Sequence, residues 1–344
     1  MIIQWFPGHM NKALKMMQEE VKKVDAVIYV LDARAPFSCV NPKFTSIIGD
    51  KPIIYVFNKA DIADMEKVKA WTTYFTKENT RCIILNSTAS GSSTKIVTAL
   101  KELLKTRIEK YAKKDVTLIL RAMIVGVPNS GKSTLANNLC GKTKAKAENR
   151  AGVTRSKQWV RVASDVEVLD TPGTLWPAFN NNQVAHHLAY IGSIKEDVLD
   201  IPELSLDFIE DIVKLDKTIL ENRYSIEIEQ DDTPLMILDK ICVARKYVMR
   251  GGDIDYDRGS MALISDFKQG RLGNITLESV KDIRKLTQKD RKEEQNAWLR
   301  KKVLRAGIHP CWRYRWSRSW PACRTCVCCN GYNATRRYNR RNKR

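Results

Sequence analysis

The stretch Gly126-Val127-Pro128-Asn129-Ser130-Gly131-Lys132-Ser133 constrains this chain more than any other, because it fits G-x4-G-K-[ST] without a mismatch. An apolar run at residues 123–125 enters it, and Leu135 and Leu139, four apart, continue behind it as a helix. That strand–loop–helix context turns a glycine-rich string into a phosphate cradle. The glycines free the backbone, N–H groups converge on phosphate oxygens, and the helix N-terminus adds its dipole. Asn129, Ser130, Gly131, Lys132, Ser133 and Thr134 are therefore read as phosphate-site residues. Lys132 reaches the β- and γ-phosphates, and the Ser133 hydroxyl ligates Mg²⁺.

A second segment selects the base. Asn58-Lys59-Ala60-Asp61 follows an apolar strand at residues 53–57. A carboxylate accepts two parallel hydrogen bonds from the guanine ring N–H and its exocyclic amine, and adenine offers no such pair. Asp61 is the expected discriminator. Asn58 holds the loop or touches the base, and the Lys59 stem lies along the ring. Asn86 and Ser87, after a third strand, are expected against the guanine edge.

A third segment senses the terminal phosphate. Asp170-Thr171-Pro172-Gly173 follows the strand at residues 166–169. Asp170 is expected to hold Mg²⁺ and the Gly173 N–H to meet the γ-phosphate. Thr154, in a polar loop upstream, is the second expected hydroxyl on Mg²⁺. Many GTPases carry a water-orienting Gln directly after this glycine; here the residue is Thr174.

Continuous apolar runs at 26–31, 53–57, 82–85 and 122–125, separated by amphipathic stretches, predict a mostly parallel sheet with helices on both faces. A further edge strand is expected at 158–162 and a charged linker at 105–115. Beyond residue 180 the strand signal fades, and residues 204–224, 234–248 and 276–288 read as helices. The expected divisions are a nucleotide domain at 1–178, a smaller helical RNA- or ribosome-binding domain at 179–285, and a basic tail at 286–344. The base-reading segment precedes the phosphate loop, the reverse of the usual GTPase order. A circular permutation preserves such a sheet, because surface loops tolerate cuts and joins.

Trp5-Phe6-Pro7-Gly8-His9-Met10, Asp32-Ala33-Arg34, Asn58–Asp61, Gly126–Ser133, Asp170-Thr171-Pro172-Gly173 with the following Trp176-Pro177, and residues 249–257 appear in an order that resembles the circularly permuted YlqF-type GTPases. The resemblance spans about residues 1–285. It implies a permuted P-loop GTPase fold with a helical C-terminal domain, and a GTP hydrolase that cycles between GTP and GDP. It also implies binding to precursors of the large (50S) ribosomal subunit and their rRNA, with hydrolysis stimulated by the ribosome. The histidine matching His9 is implicated in catalysis there, beside the phosphate-loop Lys132; on residues alone, a histidine packed or capping beside Pro7-Gly8 is the competing reading. Asn129 matches a K⁺ ligand of relatives, which adds K⁺ to Mg²⁺ as a cofactor; a loop-stabilising hydrogen bond is the alternative. Family relatives typically carry an apolar residue where this chain has Thr174.

Apolar residues form 43% of the 344, enough for a sizeable core, and no apolar run approaches the roughly 20 residues that cross a bilayer. No secretory signal is evident at the start, so a cytoplasmic protein is expected, and it is read as a monomer. Cys39, Cys82, Cys140 and Cys242 are scattered singly, as small buried hydrophobes. The net charge of +20 is uneven, since residues 301–344 carry 13 Lys/Arg and no acid. That tail also holds Cys311, Cys323, Cys326, Cys328 and Cys329, with Trp312, Trp316 and Trp320. Three readings of it stand: a reading-frame slip, a basic RNA-touching arm, or a zinc site with poor ligand spacing. At the functional level, a guanine-nucleotide-switched RNA-binding module with incidental hydrolysis is the alternative to an assembly GTPase.

Overall fold

A computed structural model of the chain describes residues 3, 5–89, 91–115, 117–140, 158–177, 179 and 181–282. The chain divides after Val280, and the architecture below belongs to the residues up to that point. Thr154 and the cysteine-rich tail lie outside the described residues.

Six strands form one sheet: β1 (Ala26–Asp32), β2 (Ile53–Asn58), β3 (Thr80–Ile84), β4 (Leu120–Val125), β5 (Gln158–Ala163) and β6 (Val166–Asp170). Their spatial order is β3-β2-β1-β4-β6-β5. All neighbours run parallel except β5, which pairs antiparallel with β6 at the edge. Every residue of the central strand β1 is buried, as a strand covered on both faces requires.

Alternate side chains supply two cores. On one face Ile28, Val30, Ile54, Val56, Ile124 and Val168 meet helices α4 (Ser92–Leu103) and α6 (Lys132–Cys140) through Ile96, Leu100, Leu135 and Leu139. On the other, Tyr29 meets Phe44 of α2 (Pro42–Ile48) with ring centres 5.5 Å apart. Tyr55 and Phe57 meet Phe75 of α3 (Met65–Phe75) at 4.7 and 5.8 Å. The first helix, α1 (Gly8–Glu20), buries Met10, Ala13 and Met17. The expected charged linker is a helix, α5 (Lys105–Ala112), with no fully buried residue; its Lys, Arg and Glu favour helix without needing a core face.

The later part is helical: α7 (Asn182–Tyr190), α8 (Ile201–Asp216), α9 (Thr218–Tyr224), α10 (Pro234–Arg245) and α11 (Tyr256–Lys268). Side chains of Asn181, Asp200, Thr233 and Asp255 cap the starts of α7, α8, α10 and α11 by accepting backbone N–H bonds. Tyr190, Phe208 and Phe267 pack in series, edge-to-face and then tilted, with centres 5.0 and 5.1 Å apart, joining α7, α8 and α11. The helix expected at 204–224 is two helices that meet at Lys217. The one expected to reach Val248 stops at Arg245, where Lys246 turns left-handed with φ 58°.

Residues 276–279 are not the expected helix. They belong to no regular element and lie against the end of β1, where Leu277 N donates to the Arg34 carbonyl at 2.8 Å and Thr276 Oγ1 to the Ala33 carbonyl at 3.1 Å. Of the expected helix, the described residues show only Val280–Asp282 as helical, and before them these tertiary bonds hold the chain instead. Among the described residues, no helix is long and apolar enough to cross a membrane.

Candidate functional site

The parallel strands bring the expected nucleotide segments to one edge. Asp32 ends β1 directly opposite Asn58, the end of β2. Asp170 ends β6 opposite Ile124 in β4, two residues before Gly126. β1 and β4 are adjacent, and the chain winds outward from them in opposite directions. Carboxyl ends beside such a reversal are where open α/β sheets hold ligands.

The phosphate loop turns through left-handed backbone at Asn129 (φ 57°) and Gly131 (φ 94°). A Cβ at Gly131 would run into Nδ2 of Asn58, so glycine is required twice over. Ser130 is buried, its Oγ donating to the Val127 carbonyl at 3.0 Å. Lys132 is also buried and donates from Nζ to the same carbonyl at 2.6 Å. Burial pulls its pKa down to about 8, although Asp170 opposes the shift. Ser133 and Thr134 follow in the first turn of α6, both half-buried.

Ser133 Oγ donates to Asp170 Oδ2 at 3.4 Å. The other Asp170 oxygen, Oδ1, is buried without a hydrogen-bond partner among the described residues. Burial pushes the Asp170 carboxyl up, with Lys132 working against it. A buried oxygen with no donor is costly unless a cation supplies the missing charge. Hydroxyl and carboxylate oxygens are what a hard divalent cation takes, so this pair fits Mg²⁺.

Gly173 lies against the phosphate loop. A Cβ there would stand 2.7 Å from the Pro128 Cα and 2.8 Å from Lys132 Nζ. Thr174 N faces the Gly126 carbonyl at 3.4 Å, while its Oγ1 is fully buried and without a partner among the described residues. Leu175 N donates to Met10 Sδ at 3.4 Å, which seats the start of α1 beside this segment. His9, one residue earlier, is exposed in the first turn of α1.

Asn58 ties the base-reading loop to its neighbours. Its Nδ2 donates to the Ser130 carbonyl at 2.7 Å, and its Oδ1 accepts from Ser87 N at 2.8 Å and Ser87 Oγ at 2.7 Å. Lys59, left-handed at φ 58°, donates from Nζ to the Asn129 carbonyl at 2.8 Å and pairs with Asp32 at 2.9 Å. Asp61 is exposed in the turn that follows and has no partner among the described residues. Asn86 folds onto its own loop, accepting from Thr88 N at 2.9 Å and Thr88 Oγ1 at 2.6 Å.

One supporting residue is not announced by the sequence. Asn138, on α6, donates to the carbonyls of Ser87 at 2.9 Å and Ala89 at 3.0 Å, bracing the third loop from the helix behind the phosphate loop. Asp32 and Arg34 were legible only as a motif. Burial pushes the Asp32 carboxyl up, but Arg34 and Lys59 outweigh it and hold that carboxyl well below the usual range. An aspartate that ends an apolar strand and an arginine two residues on were the available signal.

The helical part also touches the phosphate loop. Asn129 Nδ2 donates to the Ile191 carbonyl at 3.2 Å, and Ser193 Oγ donates to the Pro128 carbonyl at 2.7 Å. His187 is packed, with Nδ1 2.8 Å from Glu278, while His186 faces Asp207 at 3.5 Å. Neither joins a metal-binding group among the described residues.

Residues 121–240 match the family model described as 50S ribosome-binding GTPase. The ribosome biogenesis GTPase A of Bacillus cereus is 40% identical over 281 residues, covering 81% of this chain and 94% of that protein. Its counterpart in Thermotoga maritima is 31% identical over 285 residues, covering 82% and 96%. Among solved structures, the GDP-bound form of TM YlqF matches with a TM-score of 0.54 and 27% identity, over 77% of this chain and 99% of that one. The GNP-bound form of YlqF from T. maritima gives 0.53 over 78% and 98%.

Proposed function

The chain belongs to the ribosome biogenesis GTPase A family, and from that premise we propose that it hydrolyses GTP as an assembly factor of the large (50S) ribosomal subunit. It binds precursor particles and their rRNA in the GTP form and leaves after hydrolysis, which the particle stimulates. The observation that carries this reading is the Asn58 bridge, because one side chain joins the base-reading loop to the phosphate loop at hydrogen-bond distance. Segments in rotated chain order meet through it, which supports a shared nucleotide pocket there.

Within that pocket Asp61 reads guanine, with Asn58, Lys59, Asn86 and Ser87 shaping the base side. Asn129, Ser130, Gly131, Lys132, Ser133 and Thr134 surround the phosphates. Lys132 places positive charge against the phosphoryl oxygens, and the Gly173 N–H faces the terminal phosphate. Ser133 and Asp170 would hold Mg²⁺, with Thr154 as the second hydroxyl, and the ion would neutralise charge on the phosphates. Asn129 commits its amide nitrogen to Ile191, so its amide oxygen is the atom that would meet K⁺. His9 precedes Met10, whose sulfur accepts from Leu175 two residues after Gly173, and serves as the catalytic histidine. The protein works as a cytoplasmic monomer.

One observation favours the second reading, a nucleotide-switched RNA-binding module. Thr174 turns its hydroxyl into the core, so nothing directly after Gly173 orients water. Turnover of GTP with Mg²⁺ and K⁺, with and without large subunits, separates the two. The assembly-GTPase reading predicts strong stimulation that His9→Ala and Lys132→Ala abolish. Nucleotide-dependent RNA binding without stimulated turnover would establish the module instead.

A further inference from the structure

Arg34 is buried, yet every edge of its guanidinium is used. Nε and Nη2 donate to the two oxygens of Asp32 at 2.9 and 2.8 Å. Nη1 donates to the carbonyls of Phe267 at 3.0 Å and Lys268 at 3.2 Å, the last residues of α11. Its central carbon also lies 4.9 Å from the centre of the Phe267 ring. Carbonyls at a helix C-terminus lack intrahelical donors and form the negative end of the dipole. Arg34 therefore caps α11 from a loop more than 230 residues away in sequence.

Asp32 does double duty. The oxygen that takes Arg34 Nη2 also takes Lys59 Nζ at 2.9 Å, and Lys59 belongs to the base-reading loop. A single buried carboxylate thus stands between the loop that meets the nucleotide base and the cation that holds the helical part. From Phe267 the connection continues through Phe208 to Tyr190, the aromatic series of the helical core.

We propose that Arg34 is a positioning residue that couples the base-reading loop to the C-terminal end of α11, so that guanine-nucleotide binding and the seating of the helical part bias each other. The inference rests on the guanine reading of Asn58–Asp61. A base lying along Lys59 fixes its ammonium on Asp32. Asp32, so fixed, sets the angle at which the planar fork of Arg34 reaches two carbonyls at once. The coupling is reciprocal: a particle that grips the helical part tightens guanine-nucleotide binding by the factor with which nucleotide favours the seated helix.

Hydrogen exchange of the full chain, with and without saturating GDP, tests this in wild type, Arg34→Lys and Arg34→Met. The readout is the amides of Gln269, Gly270 and Arg271, which bond to carbonyls at the end of α11. In wild type GDP slows their exchange by about fivefold or more. Arg34→Lys keeps a positive charge on Asp32 but lacks the fork, so it folds, binds GDP within about tenfold of wild type, and loses the slowing. Arg34→Met loses it as well. Slowing that persists in either folded variant overturns the proposal, as does its absence in wild type with GDP bound. Failure of the wild-type chain to bind GDP would instead overturn the guanine reading.

Discussion

Asn58 and Ser130 stand 72 residues apart in the chain, and the amide of the first donates to the carbonyl of the second at 2.7 Å. The same side chain accepts two bonds from Ser87. Three loops from three strands are therefore closed by one buried amide, which makes it the keystone of the site.

Asn58→Ala removes all three bonds and leaves the Ser130 carbonyl and the Ser87 N–H buried. Unsatisfied groups of this kind cost about 1–3 kcal/mol each. Urea unfolding should show a stability loss of that order, and GDP titration a fall in affinity of about tenfold or more.

Gly173→Ala forces a methyl toward Pro128 backbone atoms 2.7 Å away and toward the Lys132 ammonium. The expected result is a weakening of GTP binding by about tenfold or more, with GDP affected less, because the segment faces the terminal phosphate. Equal losses for the two nucleotides would place Gly173 away from that phosphate.

Lys132 gives a pH dependence with a definite sign. Its pKa falls from 10.5 to about 8 on folding. Between those values the unfolded chain binds more protons, so this lysine makes stability rise with pH from about 8 to 10.5, and contributes no slope below 8. Unfolding of Lys132→Met across the same range should lack that rise. Phosphate favours the charged lysine, so GDP binding above pH 8 should take up a proton and weaken as pH increases, which calorimetry in two buffers measures.

Thr174→Val replaces an unpartnered buried hydroxyl with a methyl of the same shape. A gain of about 1 kcal/mol in unfolding free energy is expected, with turnover unchanged. A loss of turnover would mean that the hydroxyl finds a partner when GTP is present.

What the sequence made legible was chemistry that is local in the chain. The phosphate loop, Asn58–Asp61 and Asp170–Gly173 each carry their meaning within a few residues, and alternating apolar runs placed them at strand ends. What it hid was contact across the chain. Nothing near Arg34 in sequence announces Phe267, and nothing near Glu278 announces the Ser38 and His187 side chains that it bonds. Residues 276–279 misled for the same reason: the apolar spacing fits a helix, but the helix begins only at Val280, because bonds to Ala33 and Arg34 hold the segment before it. Asn138 looked like an ordinary polar position on α6 because the carbonyls it holds belong to a loop about 50 residues earlier.

The central claim is that segments written in rotated order form one guanine-nucleotide pocket, with Asp61 reading the base. Competition of GDP, ADP and XDP for the purified chain and for Asp61→Asn tests it most directly. Wild type should prefer GDP over ADP by about a hundredfold or more. Asp61→Asn should shift the preference to XDP, whose 2-oxo group accepts from an amide where guanine donates to a carboxylate. Equal binding of GDP and ADP by wild type, or an unchanged preference in Asp61→Asn, would contradict it.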